Sequence, residues 1–315
     1  MLNEINVTGE RWFPSEVKFS EEIGKIWGEW YCDSEVGKLK AVLMRRPGKE
    51  IDIVNESNFN QFRWKGPMVP DKARAQHDKL ADIYREHGVT VHYVEEQRDD
   101  CPNALFMRDL VFMTPEGAIV CRPGMSARRG EERYAAAALS KLGVPIIKTI
   151  NGDGFFEGAC AMWVDRTTVI IGTGSRANKA GAAQVEAELR NIGVTNIIHF
   201  GIPYGHAHLD GLINFVDKKT VLLFPWQVPY DVVKALLDKE INVVEATDIQ
   251  EIKVNLSINS VALEPGKILM PSGAPNTRNK LEKAGVEVIE VELDEIMKGW
   301  GAIHCMTVFL NRDPI

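Results

Sequence analysis

The chain of 315 residues is poor in several things, and each shortage removes a class of protein. Its five cysteines (Cys32, Cys101, Cys121, Cys160, Cys305) are an odd number, widely scattered and without a C-x-x-C pair. This argues against a disulfide framework or zinc ribbon and for reduced thiols. No apolar run approaches the ~20 residues of a membrane span. Met1–Glu10 has neither the basic nor the apolar segment of a leader, so the cytoplasm is the expected location. Basic residues are in deficit, 37 against 44 acidic for a net charge of −7, which leaves no footprint for nucleic acid. Pro/Ser-rich linkers are also missing. With 45% apolar and 26% charged residues the chain reads as globular, with a core sufficient for one large domain.

What is present is a repeat. From residue 110 onward the order is strand, tight turn, strand, helix, strand, and it occurs four times. The turns centre on Glu116, Arg166, Lys218 and Pro265, so the steps are 50, 52 and 47 residues. A period near 50 marks a repeat array. A fifth unit assembles from both ends of the chain. Strand Cys305–Leu310 pairs with strand Lys40–Met44, followed by helix Asp71–His87, which starts behind Pro70 and stops at Gly88, and by strand Val89–Val94. Joining the termini removes two exposed sheet edges. The fold class expected is therefore α/β, a closed pseudo-fivefold α/β propeller of ββαβ units. Residues 37–315 form a single catalytic domain, and the aromatic-rich residues 1–36 form an N-terminal arm with no catalytic role assigned. The stretch Glu50–Val69 reads either as a lid or as a surface excursion.

Related repeats put the same relative position of each unit at one end of the axis. Asp109 lies 7 residues before its turn centre, Glu157 lies 9, Asp210 lies 8 and Ser257 lies 8, while Cys305 holds that place in the split unit. Acids, a thiol and the imidazole of His208 should therefore share one mouth. Carboxylates near a thiol raise its pKa, and a cationic substrate reverses the effect. A guanidinium gripped by Asp109 and a second carboxylate would favour the thiolate beside it. Cys305 would attack the guanidinium carbon, and His208 would protonate the departing amine and then activate water.

Four stretches, Asn103–Asp109, Phe156–Gly158, His208–Asp210 and His304–Thr307, resemble the guanidino-group modifying superfamily of arginine deiminases, dimethylarginine dimethylaminohydrolases and amidinotransferases. The resemblance runs from about residue 37 to the C-terminus. It implies the propeller fold, hydrolysis of a guanidino or ureido group with no cofactor, Cys305 as nucleophile, His208 as general acid/base and Glu157 as its carboxylate partner. It further implies that Asp109 and Asp210 hold the guanidinium, and that Asn103 and Phe106 line the substrate's tail. The chain departs from the pattern at Ala159–Cys160, where Gly-Asp is common, and at Trp300, which stands where a glycine is common. Both positions bear on specificity. The length is nearer that of the dimethylaminohydrolases than of the larger deiminases.

Competing readings stay beside these. Amidino transfer to an amine shares the same first step, and a non-catalytic propeller resembling the ribosome anti-association factors shares the fold. His206 and His208 together could form half of a metal site, although no second His pair or HExxH helix completes it. Arg108 reads as an ion-pair partner beneath the site, and Arg128, Arg129 and Arg176 as candidates for a substrate carboxylate. The partner expected is a small guanidino compound, with no nucleic acid and no membrane, and self-association is left open.

Overall fold

The computed structural model describes residues 16–315, so Met1–Glu10, Trp12 and Phe13 of the expected arm lie outside the described residues. In chain order the strands are β1 (Leu39–Met44), β2 (Thr90–Tyr93), β3 (Val111–Thr114), β4 (Gly117–Val120), β5 (Ile146–Thr149), β6 (Ala161–Asp165), β7 (Thr168–Thr173) and β8 (Asn196–Gly201). They continue as β9 (Ile213–Asp217), β10 (Thr220–Leu223), β11 (Asn242–Glu245), β12 (Val261–Glu264), β13 (Lys267–Pro271), β14 (Glu287–Val291) and β15 (Val308–Arg312).

These strands form five three-stranded sheets, none closed on itself, giving a mixed α/β fold. Each sheet follows one plan. The middle strand pairs antiparallel with the first across a tight turn, as Phe112 faces Ile119, and parallel with the third, as Val221 faces Val243. Parallel neighbours need a crossover, and it is supplied by the helices Pro70–Glu86, Glu131–Leu142, Lys179–Asn191, Tyr230–Asp238 and Pro275–Lys283. The split sheet has the order β15-β1-β2, with Val42 between Phe309 and Val91, so the two chain ends share one sheet as the repeat predicts.

First and middle strands are apolar almost throughout and buried, because both of their faces are covered. β3, β4, β6 and β9 expose almost nothing, whereas the third strands alternate with solvent. Neighbouring sheets touch through these strands: β15 lies against β3, β1 against β12, and β12 and β13 against β9.

What positions the site is a set of single helical turns just before the first strands. They are Met107–Leu110, Gly158–Cys160, Leu209–Gly211 and Ile303–Met306. Met107–Leu110 packs on both Ile303–Met306 and Gly158–Cys160, which in turn packs on Leu209–Gly211. The approach is close enough that a Cβ on Gly158 would lie 2.7 Å from the Val111 carbonyl oxygen, so only glycine fits there. Cys305 sits on the last of these turns and not on the strand itself, which begins at Val308.

The described part of the arm is a helix, Phe19–Ile26, followed by a buried stretch, Cys32–Val36, that reaches beneath the first strands. Among the described residues no helix is long and apolar enough to cross a membrane.

One buried group carries a measurable consequence. His77, on the helix Pro70–Glu86, is fully buried and neither ring nitrogen has a partner. Burial lowers its pKa from 6.5 to about 4; Asp78 opposes this, and Arg46, Arg45 and Arg85 add to it. Its folded pKa is depressed, so its contribution is present above pH 6.5 and is lost as pH falls through about 4. His77→Leu should flatten the acid limb of stability in that window, removing about 3 kcal/mol of pH dependence. Urea denaturation at several pH values checks this, and a variant with an unchanged acid limb would refute it.

Candidate active site

The single-turn helices deliver their side chains to one cleft of about 900 Å³, lined by Asp109, His208, Asp210, Asn259 and Cys305 at its floor. On one wall is the thiol. Cys305 Sγ lies 3.3 Å from Asp210 Oδ2, to which it donates, and 3.1 Å from Asn259 Nδ2, which donates to it. Burial, then the carboxylates of Asp210 and Asp109, push the thiol well above its ordinary pKa. Asp210 is oriented from behind by His304, whose Nδ1 is 2.9 Å from Asp210 Oδ2 and whose Nε2 is 3.3 Å from Glu35 Oε2. Glu35 in turn accepts from Arg108 at 2.9 Å and from the Trp163 backbone N–H at 3.2 Å. Burial alone would raise both acids. His304 and His208 hold Asp210 down to about 2, and Arg108 and His304 hold Glu35 to about the same value. Arg108 is thus the buried ion-pair partner that its sequence context suggests.

The opposite wall carries the imidazole. His208 Nε2 lies 2.6 Å from Glu157 Oε2, and Nδ1 lies 3.5 Å from Asp109 Oδ1. Burial would lower the imidazole pKa, but Asp109 and Glu157 together raise it, which favours the imidazolium. Glu157 also accepts from the Gly124 N–H at 2.9 Å and from Arg176 at 3.3 Å. These partners outweigh burial and lower its pKa. Asp109 is raised by burial although His208 and then Arg128 oppose this, and its Oδ1, buried and without a hydrogen bond, faces His208 Nδ1.

Several sequence assignments change at this level. Arg128 is buried rather than solvated. Its Nη1 pairs with Asp109, its Nε and Nη2 bond Glu131 at 2.9 and 2.8 Å, and its Nη2 bonds the Phe106 carbonyl at 3.0 Å. With its donors turned to the protein, it fixes Asp109 and does not offer a fork to a substrate carboxylate. Arg176 lines the cleft, where its Nη1 pairs with both Glu157 oxygens at 3.3 and 3.4 Å. Arg129 is turned away, its Nε on the Pro123 carbonyl. Asn103 lines the cleft, but its Oδ1 accepts from Trp64 Nε1 at 2.6 Å and its Nδ2 donates to the Phe62 carbonyl at 3.1 Å, so it ties residues 62–64 across the site. That stretch belongs to the segment expected as a lid. It is also held by Lys65 N–H to the Lys298 carbonyl at 2.7 Å.

Ser257 is not the fourth member of the ring, since its hydroxyl meets Thr277 Oγ1 at 3.3 Å. Asn259 takes that place. Asn259 precedes β12 by two residues as Asp109 precedes β3, but Ser257 precedes it by four as Glu157 precedes β6, so spacing does not choose between them and the side-chain contacts do. Glu35 gave no such signal.

At the rim, Trp300 adopts φ +63° and is 52% exposed, with Lys65 Nζ 4.1 Å from its ring centroid. The flanking glycines are dictated by Phe106. A Cβ on Gly301 would lie 2.6 Å from Phe106 Cδ1, and one on Gly299 would lie 2.8 Å from Cζ. Cys160 is buried, its Sγ 3.9 Å from the Ala207 carbonyl.

Among the described residues, Asp109, Glu157 and His208 are the group whose ligand atoms could surround a metal ion. Arg128 and Arg176 already supply cationic charge to those two carboxylates, and His208 Nε2 is engaged by Glu157. The donor set therefore fits a proton-transfer site better than a cation cage. His206, the other half of the expected metal pair, instead meets Lys253 Nζ at 3.1 Å.

The family model for eukaryotic N,N-dimethylarginine dimethylhydrolases matches residues 51–312. The chain is 27% identical to the dimethylarginine dimethylaminohydrolase of Pseudomonas aeruginosa, over 86% of this chain and 99% of that one. The solved structure of that enzyme with citrulline superposes with a TM-score of 0.71 at 23% identity, covering 86% and 99% of the two chains. The 2-nitroimidazole nitrohydrolase of a Mycobacterium species is 26% identical, over 92% of this chain and 84% of its own. An amidinotransferase of saxitoxin biosynthesis from Microseira wollei shares the fold with a TM-score of 0.76 at 14% identity, covering 91% and 98%.

Gly301→Ala should lower stability by about 1–3 kcal/mol through overpacking against Phe106 and should displace the turn that carries Cys305. Thermal melting combined with the rate of iodoacetamide labelling at Cys305 checks this. Unchanged values of both would show that Phe106 yields without cost.

Proposed function

The chain belongs to the N,N-dimethylarginine dimethylhydrolase family, within the guanidino-modifying superfamily, and from that premise we propose how its own residues hydrolyse an arginine derivative. The protein is a hydrolase of C–N bonds in linear amidines, of the dimethylaminohydrolase and arginine deiminase kind. In our reading Cys305 is the nucleophile. The observation that carries this is the placement of its sulfur on one wall of the cleft, beside Asp210, with the His208–Glu157 pair and the Asp109 carboxylate on the other.

The guanidinium binds between Asp109 and Asp210 by charge-assisted hydrogen bonds, and its charge permits the thiol to ionise, the proton leaving to solvent. The thiolate attacks the guanidinium carbon. As the C–N bond breaks, the departing amine takes the proton of the His208 imidazolium, leaving a cationic S-alkylthiouronium and a neutral imidazole. That imidazole then removes a proton from water as the water attacks the same carbon. The C–S bond breaks, the hydroxyl proton of the adduct passes to the departing sulfur, and a neutral ureido product leaves with the resting thiol and the His208 imidazolium restored. Glu157 keeps the imidazole oriented, and Arg128 fixes Asp109. Arg176, at the cleft wall, is our candidate for an anionic substrate tail, with Phe106 and Trp300 shaping the passage to it.

We read the five sheets as blades of a pseudo-fivefold α/β propeller, with residues 37–315 as its single catalytic domain and 1–36 as an arm. The reading is supported by the common strand plan, by contacts between neighbouring blades and by the sheet shared between the two chain ends. The five free thiols, Cys32 to Cys305, support a reducing location such as the cytoplasm.

The test is intact-mass spectrometry during turnover of arginine, methylated arginines, agmatine and guanidinoacetate, with the released amine assayed in parallel. The expected result is an adduct on Cys305 with at least one compound, no turnover in Cys305→Ser, and in His208→Ala an adduct that forms but is released at least about 10²-fold more slowly. Full activity in Cys305→Ser would overturn the mechanism. Transfer of the adduct to an added amine, with no ureido product, would replace hydrolysis by amidino transfer.

A further inference from the structure

We propose that Asn259 is a catalytic residue, whose amide N–H holds the Cys305 sulfur as a thiolate once the guanidinium has taken over the Asp210 carboxylate. The inference rests on Cys305 being the reacting group. Asn259 is buried just before β12, and its side chain is pinned at both ends. Oδ1 accepts the backbone N–H of His304 at 3.0 Å and of Cys305 at 3.3 Å. Two donors on the oxygen settle the orientation of the amide, so the nitrogen must face Sγ, which lies 3.1 Å away.

Among the described residues the side-chain partners of Sγ are Asp210 and Asn259. They answer to different states of the sulfur. The thiol needs an acceptor for its proton, and Asp210 provides it. The thiolate has no proton to give, so its contact with an ionised Asp210 becomes repulsive while the contact with the amide becomes a charge-assisted hydrogen bond. When a guanidinium engages Asp210 and the thiol proton passes to solvent, Asn259 is the side-chain donor that stays on the sulfur, beside the backbone of Ala302. The same amide fixes the turn Ile303–Met306 through its oxygen, so donor and nucleophile keep their relative position as the charge changes.

Two substitutions separate donation from scaffolding. Asn259→Ala removes both without adding charge, whereas Asn259→Asp keeps an oxygen for the His304 and Cys305 N–H groups but sets a carboxylate against the sulfur, which by itself raises the thiol pKa, so the alkylation profile is read on Asn259→Ala. The readouts are thermal melting, kcat and KM on whichever compound the wild-type enzyme turns over, and the pH profile of iodoacetamide alkylation at Cys305, followed by peptide mass. With donation, both variants lose about 10²-fold in kcat with KM within about threefold, and the alkylation profile moves at least about one pH unit upward. A fall in kcat with an unmoved alkylation profile would make Asn259 a scaffold only and overturn the proposal, as would wild-type kcat in Asn259→Asp. Should Asn259→Ala fail to fold, the uncharged and similarly sized Asn259→Leu is read in its place. Failure of the underlying reading would look different, since wild-type enzyme itself would then form no adduct on Cys305.

Discussion

The hydrogen bond from Cys305 Sγ to Asp210 Oδ2, 3.3 Å long and between two largely buried side chains of the cleft, sets the resting state of the site, and much of the surrounding structure serves to keep it in place. Two negative charges at that separation repel by about 5 kcal/mol even at an effective dielectric of ~20, so the sulfur keeps its proton while the cleft is empty. A cation lodged against Asp210 removes that repulsion. Reactivity is thereby coupled to occupancy, and an idle enzyme does not present a thiolate to passing electrophiles. In the mechanism proposed above, the substrate's own charge performs the activation.

Keeping a carboxylate ionised in a dry cleft requires a partner, and here each acid has one. Asp210 is backed by His304, His304 by Glu35, and Glu35 by Arg108. On the other wall, Glu157 is backed by His208 and Arg176, and Asp109 by Arg128, which Glu131 holds. Removing one member of such a chain leaves a buried charge uncompensated, and that costs several kcal/mol. The packing of the single-turn helices on one another keeps these chains short. Glu35 enters from the arm, so the segment that seemed peripheral in the sequence closes the innermost link.

The repeat and the site were legible to different depths. The period of about 50 residues, visible in the turns at Glu116, Arg166, Lys218 and Pro265, recovers the strand order and even the sheet shared by the termini, because buried strands and tight turns are local signals. The same register brings Asp109, Glu157, Asp210 and Cys305 together. It misplaces the fourth member because the offset varies between units, from two to four residues before the first strand, a range that holds both Ser257 and Asn259. Glu35 and the engaged states of Arg128 and Asn103 lay beyond it for another reason. Their roles depend on partners tens of residues away, and periodicity carries no information about which side chain meets which across the fold.

The rim is where membership of a family stops determining behaviour. Trp300 holds a left-handed backbone conformation that costs a non-glycine residue roughly 1–2 kcal/mol, between two glycines that Phe106 leaves no room to change. Strain of that kind persists only when the surroundings enforce it. Here they do so through the Phe106 ring on the inner side and through Lys65 over the indole on the outer side. The indole is therefore held at the opening of the cleft together with the segment that Asn103 ties across it. The floor, made of acids, thiol and imidazole, reads the charged head of a substrate and fixes the reaction. The rim reads the rest, with residues that the repeat does not dictate.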